Sequence, residues 1–180
     1  MHTGAHRSLC LMAVVLVVLL MPFQQAWSKE NLQHRVAQQA SDSLIGYLAV
    51  GELSLLTDGK DAKKEMLRGA EAMVATELFT QVLKHTVREK RPHGETHDSF
   101  PSGHTSAAFA MATVVSEYKP KYKWVAYGTA AVIGWSRVET GEHRWRDVVA
   151  GAALGYFTAK WVVGKHIQVT PEGVSCVWTW

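Results

Sequence analysis

Residues 101–115 read PSGHTSAAFAMATVV, a turn that runs straight into an apolar helix. Ser102 stands where a helix N-cap is wanted, and Gly103 leaves room for another group to approach the backbone. Ala107, Phe109, Met111 and Val115 carry the helix onward. The first amides of a helix have no partner within it, so this turn is suited to holding an anion. His104 would sit on the first turn beside that anion. A simple capped helix start is the plainer alternative, and the neighbouring blocks decide between the two.

Upstream, Leu67, Ala70, Val74, Leu78 and Val82 recur at three and four with charges between them, which predicts a helix from Lys60 to Lys90. Pro92 would end it, because the residue before a proline is pushed out of the helical region. Lys84 and Arg91 are seven apart and are therefore expected on one helix face. Residues 31–56 read as another helix, with Leu44, Ile45, Leu48, Leu55 and Leu56 as its apolar side, closed by the turn Thr57-Asp58-Gly59.

Downstream, helices are expected from about Tyr122 to Trp135 and from Trp145 to Gly164. Gly151 and Gly155, four apart, let another helix come close. The tail from His166 to Trp180 alternates around Pro171-Glu172-Gly173, as a short hairpin does. The fold expected is all-α, a single compact bundle of about five helices in the mature chain with a short C-terminal β-hairpin.

Between the last two helices lie Ser136-Arg137, His143 and Asp147. His143 and Asp147 are four apart and share a face if the segment is helical. A carboxylate on one imidazole nitrogen fixes the tautomer, frees the other nitrogen to attack and stabilises the cation that forms. Arg137 adds a planar fork matched to phosphate oxygens, whereas Lys84 acts as a point charge. Arg144 and Arg146 are read as a solvated rim.

Lys84 with Arg91-Pro92, then Pro101-Ser102-Gly103-His104, then Ser136-Arg137 with His143 and Asp147 together resemble the three-part signature of the type 2 phosphatidic acid phosphatase family. That family also takes in class A bacterial acid phosphatases, glucose-6-phosphatase and vanadium haloperoxidases. All eleven fixed positions are filled, in the family's order and spacing, between residues 84 and 147. The resemblance implies a phosphoric ester hydrolase that needs no metal or other cofactor. It implies His143 as nucleophile, His104 as acid and then base, and Asp147 as the carboxylate behind His143. Lys84, Arg91, Ser102, Gly103 and Arg137 would hold the phosphate. One departure stands out: eight residues separate Pro92 from Pro101, little material for a lid.

The substrate expected is a phosphate monoester or diphosphate, foremost a lipid phosphate. Trp124, Trp135, Trp145, Trp161 and Tyr118 could seat helix ends at a membrane interface or fill the core. The alternatives are a broad-specificity periplasmic acid phosphatase for small soluble phosphomonoesters and a non-catalytic, membrane-associated helical protein that binds an anion. His93, His97 and Asp98 cluster beside His104, but their spacing matches no strong zinc motif.

The whole chain has 180 residues, enough for one domain with a real core, and 47% hydrophobic content argues against disorder. Its formal charge of +3 is too mild for a nucleic-acid partner. Residues 1–28 combine a weakly basic start, a 13-residue apolar run from Leu9 to Met21 and the small residues around Ser28. They are expected to be a secretory signal, leaving 29–180 as the phosphatase domain in the periplasm or at the periplasmic face of a bacterial membrane. An anchor formed by residues 9–21 is the alternative. The later apolar runs fall short of the roughly 20 residues that span a bilayer. Removal of the signal would leave Cys176 as the sole cysteine, with no intrachain disulfide available.

Overall fold

A computed structural model describes residues 32–56 and 61–164 in full, and the backbone of 167–170 and 173–176. The expected signal, residues 1–28, and the turn at 57–59 lie outside the described residues. Six α-helices run in order among those described: α1 (Leu32–Asp42), α2 (Leu44–Leu55), α3 (Ala62–Val87), α4 (Gly103–Tyr118), α5 (Lys123–Glu139) and α6 (Trp145–Val163). A 3-10 turn, Pro120–Tyr122, leads into α5. Strands β1 (Ile167–Thr170) and β2 (Gly173–Cys176) pair antiparallel with Ile167 opposite Cys176, the hairpin expected from the tail.

The fold is all-α, as the sequence predicts, but two helix readings change. Residues 31–56 form two helices because Ser43 bends the chain. Its hydroxyl donates to the Ala40 carbonyl at 2.7 Å, a back-bond that bends helices. The backbone bonds from the Ser43 amide to Gln39 and from the Tyr47 amide to Ser43 still carry the turn through the bend. The long helix α3 ends at Val87, before Pro92 can act. Arg88 adopts a left-handed conformation, φ 50°, and its amide caps the Lys84 carbonyl.

Helix α4 is the centre of the bundle, packed by α2, α3, α5 and α6. Its closest neighbour is α6, and the two glycines explain why. A Cβ on Gly155 would lie 2.1 Å from the Ser106 carbonyl oxygen, and one on Gly151 2.6 Å from that of Ser102. Thr80 and Ser106 share a 2.9 Å hydrogen bond that ties α3 to the same helix.

Small residues fill the interior. One apolar cluster gathers Ala72, Ala75, Ala110, Val114 and Ala159 with Leu55 and Val162; a second gathers Ala108, Met111, Ala112, Ala126, Ala130 and Ile133. The stripe read from α3 faces the other way: Leu67, Val74, Leu78 and Val82 are exposed, while Gly69, Ala72, Ala75, Thr76 and Thr80 are buried. Periodicity locates an apolar side of a helix but not what that side meets. Trp124, Trp145 and Trp161 likewise stand outside, at 82%, 58% and 52% exposure.

Candidate active site

Three segments of chain end at one cleft of about 1010 Å³. Lys84, Arg91, Gly103, His104, Arg137 and His143 all line it, so six of the eight site residues drawn from the sequence share its wall. The other two, Ser102 and Asp147, are fully buried just behind.

Each cation arrives differently. Lys84 sits in the last turn of α3, and its ammonium donates to the Asp98 carbonyl oxygen. Burial lowers its pKa. Arg91 is not on the helix, so the shared-face reading of residues 84 and 91 does not hold. The left-handed turn at Arg88 redirects the chain, and the loop folds Arg91 back against Asp98. Nε and one terminal nitrogen each donate to the Asp98 carboxylate at 2.9 Å, and the other terminal nitrogen donates to Glu142. The paired guanidinium holds the Asp98 carboxyl well below the usual carboxylate range. Arg137 lies in the last turn of α5, further along that helix than the sequence predicts, and is 8% exposed. It donates to the Ser41 hydroxyl oxygen, while its Nε is buried with no hydrogen-bond partner among the described residues.

The Ser102 turn caps α4 with extended backbone, φ −68° and ψ 113°. Its amide is already spent: it donates to the Asp147 carbonyl at 3.0 Å. The amide role at the site therefore moves from Ser102 to Gly103 and the residues after it, whose N–H groups precede the helical ladder. Gly103 is not required by packing, because an added Cβ would meet nothing nearer than 3.8 Å. The missing side chain leaves open a place in the cleft next to Lys84.

His143 is not helical either. It precedes α6 by two residues, while Asp147 lies in that helix's first turn. The His143 Nδ1 stands 3.8 Å from Asp147 Oδ2, outside hydrogen-bond reach, and both groups are buried. Asp147 Oδ2 instead accepts from the Ser99 hydroxyl at 2.7 Å and the Arg144 amide at 3.0 Å. Among the described residues its Oδ1 and the His143 Nδ1 have no hydrogen-bond partners. His93 is turned away, with its Nδ1 3.1 Å from the Gly141 carbonyl oxygen, and His97 stands at the cleft. No group of three metal-ligating side chains occurs among the described residues.

Ser41, Ser99 and Glu142 join the site without a signal in the sequence analysis. Glu142 adjoins His143 and Ser99 stands two residues before Pro101, and that nearness was the one available clue. Nothing marks Ser41, which reaches Arg137 across 96 positions of chain.

The pKa of each imidazole is lowered to about 4, first by burial and then by the cations: Arg137 and Arg91 for His104, Lys84, Arg91 and Arg137 for His143. Both rings are thus neutral near pH 7 in the empty cleft, as a nucleophile requires. An acid requires the opposite. A dianion in the cleft offsets the cationic field and raises both values, so its binding should draw protons from solution. Sulfate, a tetrahedral dianion that stays fully ionised at this pH, isolates this effect. Calorimetry at pH 6 in buffers of different ionisation enthalpy should show proton uptake, lowered by about one proton in His104→Ala if that ring fills completely. Uptake equal in the variant and the parent would remove His104 from the role.

A model of the PAP2 superfamily matches residues 66–169, more than half of the chain, and the chain belongs to that superfamily. It is 41% identical over 130 residues to the lipid A 1-phosphatase of Porphyromonas gingivalis, covering 70% of this chain and 28% of that protein. It is 38% identical over 81 residues to lipid phosphate phosphatase 1 of Arabidopsis thaliana, covering 36% of this chain and 24% of that one. The chain spans less than a third of the length of these two curated relatives. Among solved structures, Aquifex aeolicus LpxE superposes with a TM-score of 0.63 at 24% identity, over 83% of this chain and 94% of that one. A Bacillus subtilis transmembrane PAP2-type phosphatidylglycerolphosphate phosphatase gives 0.55 at 23%, over 91% and 87%; both show the shared fold.

Proposed function

We propose that this chain is a metal-independent phosphatase that removes phosphate from lipid phosphates through a phosphohistidine. The carrying observation is the mixed lining of one cleft. Lys84, Arg91, Arg137, His104 and His143 share it with Leu44, Leu48, Met73, Val74 and Ala107, and the polar Glu77, Gln81, His85 and Arg88 also line it. A phosphate joined to an acyl chain can use both the cationic and the apolar groups, whereas a small soluble ester uses only the cationic ones. The phosphatase names carried by the two curated relatives support the same reading.

In the first step Nε2 of His143 attacks phosphorus and the ester P–O bond opposite it breaks. Lys84, Arg91, Arg137 and the Gly103 amide stabilise the charge on the equatorial oxygens. His104, protonated as the dianion binds, gives its proton to the leaving alkoxide. Closing the 3.8 Å gap would let Asp147 accept from Nδ1–H and support the positive ring. Water then attacks phosphorus, His104 takes its proton, and the P–N bond breaks to release orthophosphate. Three cations already supply the charge that a metal ion would otherwise bring.

The working place proposed is the periplasmic face of a membrane. Large apolar side chains cover the outside of several helices, among them Leu78 and Val82 on α3, Trp124 and Val132 on α5, and Phe157 and Trp161 on α6. No described helix is long and apolar enough to cross a membrane, so the reading is a bundle seated against the lipid by its flank. Phosphate release by the full chain should be at least about tenfold faster, in kcat/KM, from phosphatidic acid in mixed micelles than from p-nitrophenyl phosphate. A chelator should not change either rate. A faster soluble substrate overturns the lipid preference, loss to chelator overturns metal independence, and no release from any ester overturns the enzyme.

A further inference from the structure

Arg137 is anchored by a helix that the PAP2 match, which begins at residue 66, does not include. Helix α1 packs chiefly on α5, whose last turn carries Arg137. Ser41 is next to last in α1 and 3% exposed, and its hydroxyl oxygen accepts from one terminal nitrogen of Arg137. On the other side, the second terminal nitrogen lies 3.7 Å from a Glu142 carboxylate oxygen. Glu142 is itself fixed at its backbone, where its amide donates to the Arg137 carbonyl at 3.1 Å.

A guanidinium has five N–H donors, and its orientation decides which edge a phosphate meets. Ser41 takes the terminal nitrogen on the Cδ side and Glu142 faces the other, so Nε is the donor left over on the side-on edge. Nε is buried and has no hydrogen-bond partner among the described residues. A buried donor of this kind is costly unless a ligand completes it. The bend at Ser43 then has a use, since it ends α1 with Ser41 against Arg137.

We infer that Ser41 is a positioning residue for phosphate: its hydroxyl fixes the rotation of Arg137, a cleft-lining residue, so that the edge carrying the unpaired Nε is held ready for the anion. Glu142 steadies the same group from the opposite side and joins it to Arg91. The substrate site thus extends beyond the signature into the N-terminal helix pair. This inference rests on the phosphatase reading for the identity of the anion, but not on turnover.

The test is a double-mutant cycle in the full chain, read as orthophosphate affinity by calorimetry. Ser41→Ala should weaken binding about tenfold, the scale of one charge-assisted hydrogen bond lost. Ser41→Cys keeps the volume and should behave alike, which guards against a folding defect in the alanine variant. In an Arg137→Met background neither change should weaken binding further. Wild-type affinity in both Ser41 variants, or an undiminished loss in the Arg137→Met background, overturns the inference. Should the parent bind orthophosphate but hydrolyse nothing, the affinity cycle still decides the role of Ser41, while the enzymatic reading alone falls.

Discussion

His143→Ala is expected to abolish phosphate release, lowering kcat by at least about 10⁴-fold, while orthophosphate still binds. The size follows from the role. A nucleophile is part of the bond being made, and its loss costs far more than the loss of one binding contact. Binding survives because Lys84, Arg91, Arg137 and the Gly103 amide do not depend on the ring. Affinity should change little near pH 7, where the ring is neutral and its removal takes no charge from the cleft. His104→Ala should cost less, about 10² to 10⁴-fold, because it removes an acid rather than the attacking atom. The two losses should not add, since both groups serve one displacement. Steady-state release of phosphate from phosphatidic acid, with thermal melting to confirm the fold, checks the pair. A His143→Ala protein that retains a tenth of parental activity would leave the chain an anion-binding protein with incidental hydrolysis, or would move the nucleophile to His104.

The parts of this site that the sequence made legible are those set by local chain chemistry. Pro101-Ser102-Gly103-His104 specifies a turn and a helix start wherever the rest of the chain lies, and α4 begins at Gly103. Gly151 and Gly155 announced a close helix contact, and α4 fills it. What stayed hidden depends on how loops close. The spacing of Lys84 and Arg91 looked helical, but the left-handed residue at Arg88 carries no sequence mark, since arginine rarely takes that conformation. His143 and Asp147 looked like one helical face, whereas Asp147 is bound by Ser99 and by the Arg144 amide at the helix start. The inward face of α3 was misread for a different reason. Small residues there allow close helix packing, so the large apolar ones are left outside, and periodicity cannot tell lipid from core.

The close contact of α4 with α6 leads to the second large effect, a contrast between two glycine-to-alanine changes. Gly155→Ala should destabilise the protein by about 3 kcal/mol, lowering the melting temperature by roughly 6–12 °C for a chain of this size. The new methyl would lie 2.1 Å from the Ser106 carbonyl oxygen and 2.9 Å from the Ala110 amide nitrogen, both backbone atoms that cannot rotate away. The helices must part, and the gain of up to about 1 kcal/mol from alanine's better helix propensity does not offset that. Parting them also moves Ser106, two residues from His104, so activity should fall along with stability. Gly103→Ala tests the reverse case. Its methyl has ordinary contacts, 3.8 Å to Lys84 and Thr80, so the melting temperature should hold or rise slightly. Yet the methyl enters the space beside the helix N-terminus where the phosphate is expected, and orthophosphate affinity should fall at least about tenfold. Melting curves with and without orthophosphate separate the two. If Gly103→Ala melts early but binds phosphate normally, the anion does not sit at the start of α4, and the cationic cleft must hold its ligand elsewhere.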